Sequence, residues 1–175
     1  MTIHNEAPKK RTDLKKREAA IYTRKTAIYE GDKELNDNVT QRLMCTVIIK
    51  FNIEDELSVS LKRYDENIYD ECDEDDIENR PALQELFKDI RDGLVDTVIV
   101  YAMSILSTSL KTVDKIARFF KEQNVRVILG NEGVDTLMPS GRRFFLHIAE
   151  LVQYESMEGK PYFKDHDEQC DVMMK

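Results

Sequence analysis

Hydrophobic and polar positions switch repeatedly between two periods along this chain. Ala19-Ala20-Ile21-Tyr22-Thr23 is a short apolar, β-favouring run and predicts a first strand. Leu35, Val39, Leu43, Val47 and Phe51 then recur at every fourth residue, with Ile48 widening the stripe, so a first helix is expected to bury that face. Leu57, Val59 and Leu61 alternate with Ser58, Ser60 and Lys62, the period of a half-buried second strand. Arg80-Pro81 opens a second helix: proline lacks an amide hydrogen that a first turn would leave unused anyway. Leu83, Leu86, Phe87 and Ile90 follow on one face until Gly93.

Val95 to Val100 is nearly all apolar, as suits a central parallel strand buried on both faces. Leu110, Val113, Ile116, Ala117 and Phe120 make another helical stripe, and Val125 to Leu129 a further strand that Gly130 ends. A last helix is expected after Pro139-Ser140-Gly141, carrying Phe144, Phe145, Ile148, Leu151, Val152 and Tyr154 before Gly159 and Pro161 stop it. This alternation predicts an α/β fold, a mainly parallel β-sheet of four to five strands flanked by helices with a long C-terminal helix. Sites in such sheets lie at the carboxyl ends of the strands. One rim should therefore gather Arg24, Lys25 and Thr26, the loop after the second strand, and Tyr101 to Thr108.

Charge divides the chain further. Of 175 residues, 26 are Lys or Arg and 34 Asp or Glu, a net charge of −8. Lys9, Lys10, Arg11, Lys15, Lys16 and Arg17 form a basic N-terminal arm over 1–17, the segment where weak DNA contact would fall. Residues 18–158 form the expected domain, 159–175 an acidic tail, and Asp65 to Glu78 an acidic loop. No apolar run approaches the roughly 18 to 20 residues of a membrane helix, and the N-terminus has no apolar signal core, so no membrane partner and a cytoplasmic location are expected. Cys45, Cys72 and Cys170 lack disulfide or zinc spacing. The acids around Asp73 and Asp75 lack the glycine and closing glutamate of a calcium loop, and no cofactor is expected. His147 reads as a surface or interface residue, and Arg142-Arg143 as a solvated pair.

The order of segments resembles the catalytic domain of serine site-specific recombinases, the resolvase and invertase family, over roughly Ala19 to Glu158. Ala20-Ile21-Tyr22-Thr23-Arg24-Lys25-Thr26 matches the opening Y-x-R-x-S strand, Gln41 the glutamine of the first helix, and Arg80-Pro81-Ala82-Leu83 the R-P-x-L helix start. Ser107-Thr108-Ser109-Leu110 and Met138-Pro139-Ser140-Gly141-Arg142 match later segments, and Phe144 to Glu155 the long helix. The resemblance implies DNA strand cleavage by a hydroxyl nucleophile with arginines binding the phosphate. It assigns the residual catalytic positions to Thr26, Arg24, Gln41 and Arg80.

The chain departs from that pattern where the chemistry is most demanding. Threonine replaces the serine nucleophile, adding a methyl that restricts its rotamer. Where the family has L-D-R-L-x-R, this chain reads Met103-Ser104-Ile105-Leu106-Ser107-Thr108, so Ser104 stands for the aspartate and Ile105 and Thr108 for two arginines. Losing one preorganised electrostatic contact costs about two to three orders of magnitude in rate. The expectation is a catalytically inactive recombinase-like protein of mobile-element type, from a prophage or plasmid. It would act as a homodimer, or on a related recombinase or another DNA-transaction protein, through a seam of Phe144, Phe145, Ile148, Leu151 and Val152. Two alternatives stand beside it: a recombinase of low or altered activity using Thr26, and a DNA-binding regulator acting through the basic arm.

Overall fold

The computed structural model describes residues 18–25, 37–52, 57–66 and 77–158, with the backbone alone at 52 and 155–158. The basic arm, Thr26, Leu35, residues 67–76 of the acidic loop and the tail after Glu158 lie outside the described residues. The elements run β1 (Glu18–Arg24), α1 (Asn38–Asn52), β2 (Tyr64–Glu66), α2 (Pro81–Arg91), β3 (Val95–Val100), α3 (Met103–Leu106), α4 (Leu110–Glu122), β4 (Arg126–Leu129), β5 (Val134–Asp135) and α5 (Pro139–Glu158). The expected α/β architecture is present. Five strands lie in the order β2-β1-β3-β4-β5, parallel except for the β4–β5 pair.

Strand alternation divides the core between the two faces of the sheet. Ala20, Tyr22, Val98, Val100, Val127 and Leu129 join Leu83, Leu86 and Phe87 of α2 and Ile116 and Phe120 of α4 in the larger cluster. Ala19, Ile21, Ile99 and Ile128 point to the other face and meet Cys45 of α1. Phe87 stacks on Phe119 with ring centroids 4.2 Å apart, tying α2 to α4. Burial pushes the Cys45 thiol up to about 12, so it is a small apolar filler and not a reactive group.

The face of α1 that the four-residue stripe was expected to bury is the outer one. Val39 is 68% exposed, Leu43 60% and Phe51 72%, and Val47 is exposed too. Asn38, Gln41 and Cys45 are the buried residues, with Ile48 and Ile49 half-buried. Gln41 and Leu43 differ by two residues, about 200° around a helix, which is nearly its opposite side. Polar Gln41 takes the inner position because its amide has main-chain partners there, as described below.

The second strand also lies elsewhere than expected. Leu57 to Ser60 runs beside the start of β1, with a parallel bridge between Ala19 and Val59, but Leu61 is 99% exposed. The paired strand is the more polar Tyr64-Asp65-Glu66, in register with Tyr22, Thr23 and Arg24. Its polar groups are satisfied: the Tyr64 hydroxyl donates to Asp89 at 2.7 Å and Thr23 donates to Asp65 at 2.8 Å. Satisfied polar groups can be buried at little cost, so hydrophobicity alone does not select the strand.

Two short elements, α3 and β5, were not expected. The antiparallel β5 is fastened by a two-pronged ion pair, Arg126 to Asp135 at 3.0 and 2.6 Å, and by Val127 N–H donating to Thr136 at 2.8 Å. Helix α5 begins at Pro139 and so includes Pro139-Ser140-Gly141 instead of following it. Gly141 is buried against the main chain of Asp135, leaving no room for a Cβ, which fixes how the first turn of α5 meets β5.

Candidate functional site

The site forms at the carboxyl end of β1, where the chain turns from the sheet. Arg24 is the last residue of β1 and is buried despite its charge. Gln41 holds it there through the backbone: Arg24 N–H donates to Gln41 Oε1 at 3.0 Å, and Gln41 Nε2 donates to the Arg24 carbonyl at 2.9 Å. A side-chain amide thus acts as one more strand residue at this end of the sheet. Asp37 caps α1 by accepting from the N–H groups of Val39 and Thr40 at 3.0 and 3.1 Å, and pairs with Lys25 at 3.2 Å. Lys25 and Asp37 flank in sequence the segment that carries Thr26.

Arg80 comes to the same place from α2, where it is the residue before Pro81. Its own side chain does not cap the helix. That role falls to Glu66 of β2, whose Oε2 accepts from the N–H groups of Ala82 and Leu83 at 3.1 and 3.3 Å. A carboxylate at a helix N-terminus is favourable both as acceptor and against the helix dipole. Burial pushes the Glu66 carboxyl up, opposed by these two amides and by Arg80 and Arg24. The sheet edge and α2 are clasped again lower down, where Asp89 accepts from Tyr64 and, at 2.5 Å, from Lys62.

Arg24 and Arg80 converge on one atom. Arg24 Nη1 donates to the carbonyl of Leu106 at 3.3 Å, and Arg80 Nη1 donates to the same oxygen. Leu106 ends α3, so its carbonyl has no partner within the helix and can accept two donors. The other end of α3 is also held: Met103 N–H donates to Glu132 Oε1 at 3.0 Å. Tyr22 completes the cluster. Its hydroxyl is buried among Glu66, Arg80 and Arg24 and makes no hydrogen bond among the described residues; burial raises it well above the usual phenol value, against the pull of Arg80 and Arg24. Two buried guanidiniums that converge beside Glu66 are an arrangement of the kind that can hold an oxyanion.

The structure brings Arg24, Gln41 and Arg80 together, while Thr26 lies outside the described residues. At the substituted segment, Ser104 is half-buried, Thr108 is exposed and Ile105 is buried in the larger core cluster. The proposed DNA-contacting residues Lys9, Lys10, Arg11, Lys15, Lys16 and Arg17 lie outside the described residues. Among the seam residues, Phe144 and Phe145 are half-buried against the core, and Leu151 and Val152 are half-buried. Ile148 is buried by the chain's own packing, which removes it from any outward seam. Leu146 and Tyr154, each about half exposed, are the large apolar side chains that α5 turns outward among the described residues. His147 is exposed and bonded to Glu150 at 3.1 Å. Among the described residues no helix is long and apolar enough to cross a membrane.

Glu66, Leu106 and Glu132 were not foreseen as site residues. Glu66 reads in sequence as part of an acidic block, and its role depends on a strand capping a helix sixteen residues on. The Leu106 contact is through main chain, which carries no side-chain signal.

This geometry can be set against known proteins. Residues 19–159 match the family model described as "Resolvase, N terminal domain", and the chain belongs to that family. It is 34% identical over 77 residues to the transposon Tn917 resolvase of Enterococcus faecalis, a stretch covering 44% of this chain and 41% of that relative. The chain therefore matches less than half the length of that curated relative. The solved N-terminal catalytic domain of TP901-1 integrase superposes with a TM-score of 0.60 at 25% identity, covering 81% of this chain and 98% of that one. A resolvase family site-specific recombinase from Streptococcus pneumoniae shares the fold at 20% identity and a TM-score of 0.56, covering 82% of this chain and 95% of that one.

Proposed function

We propose that this resolvase-family chain does not cleave DNA and acts by protein contact through α5, as a homodimer or with a related recombinase. The observation that carries the first half is the burial of Ile105 in the core, with its neighbour Leu106 turning its carbonyl to Arg24 and Arg80. Ile105 stands where the resemblance puts a phosphate-binding arginine. A charge at that position would have to leave the apolar core to reach the rim, so the local packing is built for the aliphatic residue. Arg24 and Arg80, with Gln41 positioning Arg24 and Thr26 at the nucleophile position, are then a residual oxyanion clamp of reduced charge.

The second half rests on α5. It turns Leu146 and Tyr154 outward and borders, with Arg118 of α4, a surface groove of about 390 Å³ in which Leu146, Ala149 and Val152 are flanked by Glu150 and Gln153. Apolar surface of this kind on a long terminal helix suits a second helix better than solvent. In this reading residues 18–158 are the folded unit, 1–17 a basic arm and 159–175 an acidic tail, in a cytoplasmic protein of mobile-element type.

Sedimentation of the chain tests the homodimer: a dimer that Leu146→Glu converts to monomer supports it, and a monomer at every concentration overturns it and leaves only the contact with a related recombinase. Fluorescence-anisotropy titration of labelled duplex DNA, with and without residues 1–17, tests the alternative. Binding that depends on the arm and weakens steeply with salt would make DNA the partner instead.

A further inference from the structure

Helix α3 occupies the place where the resemblance puts the D-R-L-x-R segment, and it is held at both of its ends by charge. At its start the Met103 amide donates to the Glu132 carboxylate; at its end the Leu106 carbonyl receives Arg24 and Arg80. Both arrangements oppose the helix's own partial charges with the complementary sign. Between the two ends, the side chains of Ile105 and Leu106 are buried in the core. The turn that carries Glu132 is itself tied to the end of β3, with Gly130 N–H donating to Val100 at 3.0 Å and Asn131 N–H to Tyr101 at 2.7 Å. The backbone that carries Glu132 is thus anchored to β3, while its exposed side chain reaches back to the Met103 amide.

We infer that α3 is a built-in occupant of the arginine pair: the Leu106 carbonyl sits where an oxyanion oxygen would sit, and Glu132 sets how readily it withdraws. This rests on the reading of Arg24 and Arg80 as an oxyanion clamp. A neutral carbonyl is a weaker partner for a guanidinium than a charged oxygen, so such an occupant closes the site against dilute anions yet remains displaceable. The buried Tyr22 hydroxyl beside the pair has no hydrogen-bond partner among the described residues, which fits a cluster able to take a further polar group. The ligand class the opened pair would take is a phosphate or phosphodiester oxygen.

The test uses the full-length chain, with inorganic phosphate as the probe and the arginine side-chain Nε–H signals as the readout, assigned with Arg24→Gln and Arg80→Gln. Amide hydrogen exchange at Ile105 and Ser107, which donate within this segment to Ala102 and Met103, reports whether α3 is loosened. In the wild type, phosphate is expected to leave both arginine signals unmoved. In Glu132→Ala, exchange at Ile105 and Ser107 should rise about ten-fold or more, and both arginine signals should shift saturably with phosphate. Glu132→Gln, which keeps an acceptor oxygen but not the charge, should fall between the two, and it stands in if the alanine variant does not fold.

Saturable shifts in the wild type would overturn the inference, because the pair would then be open. Unchanged exchange in both Glu132 variants would overturn the role of Glu132. Faster exchange without any phosphate shift would instead overturn the clamp reading itself.

Discussion

Arg24 and Arg80 donate to the same oxygen, the carbonyl of Leu106, one from the end of β1 and the other from the residue before α2. Two like charges are brought together inside the protein, and the acceptor that joins them is main chain, supplied by the segment in which the family pattern places further arginines. Glu66 moderates the repulsion while also capping α2. The arrangement depends on the end of β1 being held firmly.

Gln41 supplies that hold. Gln41→Ala leaves the Arg24 N–H and carbonyl without the two bonds they now make, in a fully buried place. Losing two buried main-chain bonds should cost about 2 to 4 kcal/mol, read as a lower urea midpoint with unchanged slope. Gln41→Glu should fall short of wild type as well, since it cannot donate to the Arg24 carbonyl while ionised. A loss within about 0.5 kcal/mol for the alanine variant would contradict the positioning role.

Asp89 gives an acid-side signature. Against the upward push of burial, Lys62 and Tyr64 hold its carboxyl below the ordinary aspartate value of 3.8. Its folded form therefore binds protons less readily than its unfolded form. The stability it contributes is complete above the ordinary value and is lost as the pH falls through the lower folded one. Asp89→Asn should flatten this part of the acid limb in urea unfolding between neutral pH and pH 3, and an unaltered limb would count against the clasp.

Glu66 should show the opposite sign. Burial raises its carboxyl above the ordinary 4.5, so the protonated form is the one folding favours. Its contribution is present below the ordinary value and is lost as the pH rises through the raised folded value. The stability of wild type relative to Glu66→Gln should therefore decline as pH climbs through that window. A difference that grows with pH would mean that Arg24 and Arg80 outweigh burial.

Gly141→Ala tests the seat of α5. The added Cβ meets the main chain of Asp135, which cannot swing aside as a long side chain can. A loss of about 1 to 3 kcal/mol is expected, as for other overpacked sites. Leu146→Glu on the exposed side of the same helix should change stability by no more than about 0.5 kcal/mol, so its effect on sedimentation would report contact and not unfolding.

Much of the architecture was legible because strand and helix periods are strong in this chain. Val95 to Val100, the Pro81 start and Gly93 stop of α2, and the Val113, Ile116 and Phe120 face of α4 all lie where the pattern puts them. The failures share a cause. The stripe from Val39 to Phe51 is outward and Gln41 inward, and Tyr64-Asp65-Glu66 pairs as a strand beyond the more regular Leu57 to Leu61, because satisfied polar groups were favoured over exposed apolar ones. At the site, Arg24, Gln41 and Arg80 were legible through the resemblance, whereas Glu66, Glu132 and the Leu106 carbonyl act through long-range main-chain contacts that no local pattern encodes.

The most direct test of the central claim is a covalent-adduct assay. The full-length protein is incubated with a pool of randomised duplex DNA, denatured, and any DNA that remains attached is recovered and sequenced. The account predicts no attached DNA above the level of a Thr26→Ala control. DNA retained through denaturation, enriched for a defined sequence and lost on Thr26→Ala, would contradict it and make this chain a working recombinase.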